Sequence, residues 1–176
     1  MPETAFPVHA AAGIKLLAMD VDGVLTDGSI MLDDMGVETK RFNVRDGQGI
    51  ASWLRLGLDA AVITRRAGQA LQHRCRELGI RRIMQGAKDK AAALDELVAA
   101  SGISPAQIAY VGDDWPDLPA LKRVGLAVAV ADADERVRAA AHFVTSRRGG
   151  EGAIREIVER ILDAQGLLDR AVSHYS

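Results

Sequence analysis

Six short apolar runs, set apart by helical patterns and turns, constrain this chain more than any other feature. They span residues 14–19, 58–63, 80–84, 108–111, 126–130 and, more weakly, 143–144. Short runs without polar alternation read as strands buried on both faces. Between them, residues 67–78 and 88–100 carry apolar side chains three and four apart, as amphipathic helices do. Gly79 and Gly102 stand where helices stop, and Ser104-Pro105 reads as a helix start. Residues 154–168 read as a last amphipathic helix. Strands alternating with helices imply crossover connections and a mostly parallel sheet covered on both faces. The expected class is α/β, and such sheets bind ligands at the carboxyl ends of their strands.

One segment breaks the alternation. Residues 28–43 read as two strands around the turn Asp33-Asp34-Met35-Gly36, a hairpin inserted after the first run. A lone hairpin is marginal in water, and Ile30 and Met31 have no evident partner within one chain, so pairing with other subunits is expected. Residues 14–168 are expected to form a single domain, with 1–13 a loose leader and 169–176 a flexible tail.

Composition narrows the function classes. The formal net charge of -2 argues against a general nucleic-acid binder. No apolar run reaches the ~18 residues of a membrane span. The single cysteine, Cys75, falls in a helical pattern and reads as a buried structural thiol. With no disulfide to form and no secretory signal, a cytoplasmic protein acting on a small molecule is expected. His9, His73, His142 and His174 are too scattered for a metal cluster, and Trp53 and Trp115 read as packing residues.

Four polar features fall at the ends of apolar runs: Asp20-Val21-Asp22-Gly23, Thr64, Lys90, and Gly112-Asp113-Asp114 with Asp117. In a parallel sheet they converge on one edge. Each alone has a blander reading: a turn, a structural hydroxyl, a solvated lysine, a helix cap. Together they match phosphoryl transfer, which needs a nucleophile, an acid for the leaving oxygen and positive charge around the transferring group. Asp20 is suited to attack phosphorus, and Asp22, two residues on, to protonate the departing alkoxide and later deprotonate water. Asp20 and Asp113 are hard oxygen ligands of the kind Mg²⁺ takes. Thr64 and Lys90 are suited to hold phosphate oxygens.

These residues resemble the haloacid dehalogenase-like phosphatase superfamily. Asp20, Asp22 and Gly23 match its first motif, Thr64 its second, Lys90 its third and Gly112-Asp113-Asp114 its fourth. The chain further resembles the 3-deoxy-D-manno-octulosonate 8-phosphate (KDO 8-phosphate) phosphatase family. That likeness rests on residues 20–28, on Phe42-Asn43-Val44-Arg45-Asp46-Gly47, on Gln85-Gly86 with Asp89-Lys90, and on residues 149–156. The resemblance implies a three-layer α/β sandwich with a Rossmann-like sheet, in which the small hairpin replaces a cap domain. It implies a Mg²⁺-dependent phosphomonoesterase working through an aspartyl-phosphate in lipopolysaccharide precursor synthesis, and a homotetramer whose neighbours help close each site. It also implies that Asp20, Asp22 (through its backbone carbonyl) and Asp113 hold the metal and that Asp114 orients the metal shell. Arg66 matches the family arginine.

One residue departs from the family: Thr64 is followed by Arg65 where glycine is usual. Around the site, Arg66 is expected to bind substrate, Arg45, Asp46 and Gly47 to line the pocket, and Glu38 and Lys40 to face solvent rather than a neighbour's substrate. The segment Arg147-Arg148-Gly149-Gly150-Glu151-Gly152 is open to two readings, a closure over the site or a mobile loop. The alternatives for the chain as a whole are a phosphatase for another ulosonate 9-phosphate of sialic-acid type, a receiver-like phospho-switch, and a catalytically weak assembly partner.

Overall fold

The structure, a computed structural model, describes residues 5–175. Its strands are β1 (Leu16–Met19), β2 (Met31–Leu32), β3 (Glu38–Thr39), β4 (Asp59–Ile63), β5 (Arg82–Met84), β6 (Ile108–Gly112), β7 (Leu126–Ala129) and β8 (Phe143–Val144). The helices are α1 (Val8–Ala12), α2 (Val44–Arg55), α3 (Gln69–Leu78), α4 (Lys90–Ser101), α5 (Leu118–Leu121), α6 (Glu135–Ala140), α7 (Ala153–Ala164) and α8 (Leu168–Val172). The fold is the expected α/β sandwich: a six-stranded sheet in the order β5-β4-β1-β6-β7-β8, every pair parallel. Every residue of β1, β6 and β7 is buried, as strands covered on both faces must be. Buried alanines at positions 18, 60, 61, 109, 127 and 129 stand among larger side chains and leave the flanking helices room to approach.

The order reverses at β1, which pairs with β4 on one side and β6 on the other. Crevices form at such reversals, beyond the carboxyl ends of the strands. Here the polar segments 20–23, 64–66, 86–90 and 112–117 gather there. The hairpin, β2 and β3, pairs Met31 with Thr39 and Leu32 with Glu38, and stands apart from the main sheet.

Three expectations change. Ser104-Pro105 starts no α-helix: residues Pro105–Gln107 make one 3₁₀ turn, and Gln107 is followed at once by β6. The leader, for residues 5–13, is folded rather than loose. Helix α1 buries Ala11, the Phe6 ring meets Phe143 edge-on at 5.0 Å, and the Gln165 amide donates to the carbonyls of Ala11 and Ile14. The remainder of the leader, residues 1–4, and Ser176 of the tail lie outside the described residues. The tail carries α8 and a 3₁₀ turn, Ser173–Tyr175, whose tyrosine hydroxyl accepts from Gln48 and Arg55. No helix of the described residues is long and apolar enough to cross a membrane.

Candidate active site

Asp20 is placed by the sheet. Its amide continues the β1–β6 ladder by donating to Val111 O at 3.0 Å, which sets its carboxylate beside the Gly112-Asp113 turn. Gly23 then turns the chain with φ of +91°, and its α-carbon packs against Asp113. Thr64, at the end of β4, is buried. Lys90 is the first residue of α4, whose N-terminus is capped by the Asp89 carboxylate accepting from Ala91 N and Ala92 N. That cap aims the buried Lys90 ammonium inward, to Asp20 Oδ2 at 2.7 Å and to Asp117.

Asp117 is the residue the sequence reading named but gave no role. Fully buried, it accepts from Lys90, from the Tyr110 hydroxyl at 2.7 Å, and from the amides of Asp113 and Asp114 at 3.0 and 3.3 Å. It therefore holds the Gly112–Asp114 turn and the lysine at once. Asp114, expected to orient the metal shell, lines the cleft and caps the short turn Trp115–Asp117, and the inner position beside Lys90 belongs to Asp117. The available signal was spacing, since an acid four residues after Asp113 can fold back on its amide.

The charges here do not balance within the chain. Asp20, Asp113 and Asp117 crowd one ammonium, and each of these carboxylates offers an oxygen within 4.8 Å of the others. Burial, then the charges of Asp117 and Asp20, lift Asp113 to about 8. Burial and Asp117 lift Asp20 to about 6 against the pull of Lys90. Burial works against the charge on Lys90, but Asp117 and Asp20 outweigh it and raise its pKa. Asp20 Oδ1 and Asp113 Oδ1 are buried with no hydrogen-bond partner. Buried carboxylate oxygens without partners are costly, and a divalent cation would satisfy both and cancel the surplus of two negative charges.

Asp22 faces the same cleft. Lys40, from the strand end of the hairpin, donates to Asp22 Oδ1 and lies 3.3 Å from Glu38. Arg66 pairs with Glu38 at 2.6 Å and stands 3.8 Å from Asp22 Oδ2. Glu38 and Lys40 were expected to face solvent. They do not: the Lys40 side chain is only 4% exposed. Their i, i+2 spacing on an extended segment put both on the face turned to the cleft.

The cleft, of about 540 Å³, thus gathers Asp20, Asp22, Thr64, Arg66, Lys90, Asp113 and Asp114. It does not gather Arg45, Asp46 or Gly47. Arg45 lines a different hollow with Arg147 and Glu151. Asp46 is buried and accepts from Gly152 N and Arg155 N, tying α2 to the start of α7. Gly47 lies against the Arg74 guanidinium. Nor is the glycine-rich segment a lid. Gly150 N donates to Val24 O at 2.9 Å, Asn43 donates to Gly150 O, and a β-carbon on Gly149 would lie 1.7 Å from Gly23 O. The segment clasps the back of the 23–27 loop, backbone to backbone. Trp53 packs as expected, donating to Asp59 O at 2.7 Å, whereas Trp115 is exposed beneath the Arg136 guanidinium.

A parallel sheet whose reversal point presents Asp20, Asp22, Thr64, Lys90 and Asp113 defines a haloacid dehalogenase-like hydrolase. The model of that family matches residues 67–157, just over half of the chain. The first and second motifs lie outside that match, and relatives aligned over most of the chain cover them. The chain is 46% identical over 164 residues to the 3-deoxy-D-manno-octulosonate 8-phosphate phosphatase of Yersinia pestis, covering 93% of this chain and 88% of that one. It is 45% identical over 170 residues to that of Escherichia coli K12, covering 97% and 90%. The crystal structure of the Moraxella catarrhalis phosphatase of this name, in complex with magnesium ion, phosphate ion and KDO, superposes with a TM-score of 0.94 at 41% identity, covering 96% and 97%. The chain belongs to the KDO 8-phosphate phosphatase family and is a phosphatase.

Proposed function

We propose that this chain hydrolyses KDO 8-phosphate to KDO and phosphate, with Mg²⁺ as cofactor. One observation carries the reading: two buried carboxylate oxygens without partners, Asp20 Oδ1 and Asp113 Oδ1, share a cleft with Thr64 and Lys90. The relative with magnesium, phosphate and KDO supports the choice of metal and sugar. Asp20 and Asp113, with the backbone carbonyl of Asp22, would hold Mg²⁺. When bound, it offsets the repulsion between an anionic nucleophile and an anionic substrate.

The chain's own groups account for the rest. Lys90 holds Asp20 in place through Oδ2, and the Asp20 carboxylate attacks phosphorus. As the bond to the sugar oxygen breaks, Asp22 gives its proton to that oxygen. A water then attacks the aspartyl-phosphate, and Asp22 takes its proton, releasing phosphate and restoring Asp20. Thr64 and Lys90 hold the phosphate oxygens. Lys40 and Arg66 set the orientation of Asp22.

The hairpin supports an assembly. Ile30, Leu32, Met35 and Val37 are exposed, Met35 at 89%, which leaves an apolar edge for a neighbour to cover. A homotetramer, with neighbouring hairpins closing each capless cleft, fits that edge.

The test is phosphate release from KDO 8-phosphate with and without Mg²⁺, beside p-nitrophenyl phosphate and a ulosonate 9-phosphate. KDO 8-phosphate is expected to have the highest kcat/KM, and Asp20→Asn to abolish turnover. A higher kcat/KM for the 9-phosphate would replace the sugar assignment. A single equivalent released, without turnover, would remove the hydrolase reading.

A further inference from the structure

The cations of the catalytic cleft divide into two groups. Lys90 is engaged by Asp20 and Asp117, Lys40 by Asp22 and Glu38, and Arg66 by Glu38. Arg65 and Lys88 also line the cleft, both are exposed, and neither makes an ion pair or side-chain hydrogen bond among the described residues.

The backbone sets these two side by side. Beyond the ends of β4 and β5 the chains stay hydrogen-bonded: Thr64 N donates to Met84 O at 2.9 Å, Ala87 N to Thr64 O at 3.0 Å, and Gly86 N to Arg66 O at 3.4 Å. Arg65 and Lys88 therefore leave from one paired rim. No residue but glycine has a positive φ in the described chain, so Arg65 occupies its place in the loop without strain. The phosphoryl group is already provided for in the depth of the cleft by Thr64 and Lys90. Two uncommitted cations at the mouth are placed for something else.

We propose that Arg65 and Lys88 form a second anion site, which takes a carboxylate at the end of the substrate remote from the phosphate. The proposal rests on the phosphatase reading above and makes these residues determinants of specificity: phosphorylated sugar acids are preferred to neutral sugar phosphates. A planar guanidinium beside an ammonium suits a carboxylate, to which arginine donates two parallel hydrogen bonds. A cation held in a cleft also strengthens its attraction for charge relative to one in open water.

The experiment compares wild type with Arg65→Ala, Lys88→Ala and the double variant on two pairs of primary phosphates, KDO 8-phosphate against arabinose 5-phosphate and 6-phosphogluconate against glucose 6-phosphate. Only the first member of each pair bears a carboxylate. Inhibition constants replace kcat/KM where turnover is slow. Each single variant is expected to lose roughly 5- to 10-fold on the carboxylated member, through KM with kcat held, and the double variant roughly 30-fold or more. The neutral members should change by less than about two-fold. Arg65→Glu should lose more than Arg65→Ala on the acids alone, by repulsion. Equal losses on both members of a pair, or none on either, would overturn the proposal. Absence of KDO 8-phosphate turnover by wild type would overturn the sugar assignment instead, and the second pair would still decide the rim.

Discussion

The α-carbon of Gly23 packs so closely on Asp113 that a β-carbon there would lie 2.0 Å from Asp113 Oδ2. The glycine of the first motif thus shapes the carboxylate of the fourth, across 90 residues of sequence. Its φ of +91° also lies where L side chains are strained. Gly23→Ala is expected to displace Asp113 and to cost roughly 1–2 kcal/mol in backbone strain alone. The Mg²⁺ concentration for half-maximal activity should rise by about ten-fold or more if, as proposed, Asp113 holds the metal. Metal titration of activity, with circular dichroism to confirm folding, checks this; an unchanged midpoint would remove Asp113 from the metal site.

Lys90 is the counter-charge of two buried carboxylates. Removing one partner of a buried ion pair typically costs about 3–5 kcal/mol, because the other is left uncompensated. Lys90→Met should therefore destabilise the metal-free protein by about that amount, read by urea denaturation, and should abolish turnover. Asp117→Asn keeps one acceptor oxygen, enough for the Tyr110 hydroxyl or for the Asp113 amide but not both, and is expected to destabilise the protein as well. If Lys90→Met were as stable as wild type, the triad would not be the structural centre of the site.

The sheet and its catalytic edge were legible because their signals are local. Apolar runs end at Asp20, Thr64 and Gly112, and a parallel sheet brings those ends together whatever the loops do. The misplaced residues were those whose role depends on a partner distant in sequence. Asp46 looks like a pocket residue until Gly152 and Arg155 arrive at its carboxylate from more than 100 positions away. Gly149 and Gly150 read equally as part of a closure over the site or of a mobile loop, because nothing local says that the Gly23–Asp27 backbone fills the space where their side chains would be. Lys40 reads as a solvated hairpin charge until the hairpin folds back over Asp22.

Without metal, the site should respond to pH with a definite sign. Asp20 and Asp113 are raised to about 6 and about 8 from the ordinary 3.8, by burial and then by neighbouring carboxylates. The folded chain therefore binds these protons more tightly than the unfolded chain does. That contribution is present at the acid end and is lost as pH rises through about 6 and then about 8. The metal-free protein should melt several degrees higher near about pH 6 than near about pH 8.5. Saturating Mg²⁺ requires the ionised carboxylates and should cancel or reverse that order. Scanning calorimetry at both pH values, with EDTA and with Mg²⁺, checks it. A metal-free melting point that rose with pH would mean that these carboxylates are not crowded as described.

Asp46 separates a structural role from a role in the pocket. It sits at the first turn of α2, its carboxylate accepts from Arg155 N at 2.8 Å and Gly152 N at 3.2 Å, and it lies outside the catalytic cleft. Those amides are the unsatisfied donors at the start of α7, so the carboxylate caps one helix from another. Asp46→Ala leaves them buried and unpaired, which should cost about 1–3 kcal/mol. Asp46→Asn retains one acceptor oxygen and should recover part of that loss. Because the residue braces α7 and not the substrate, KM for KDO 8-phosphate should stay within about two-fold of wild type for whatever fraction remains folded. Stability and KM measured on the same preparations decide the matter: a KM raised ten-fold with the melting point intact would return Asp46 to the pocket.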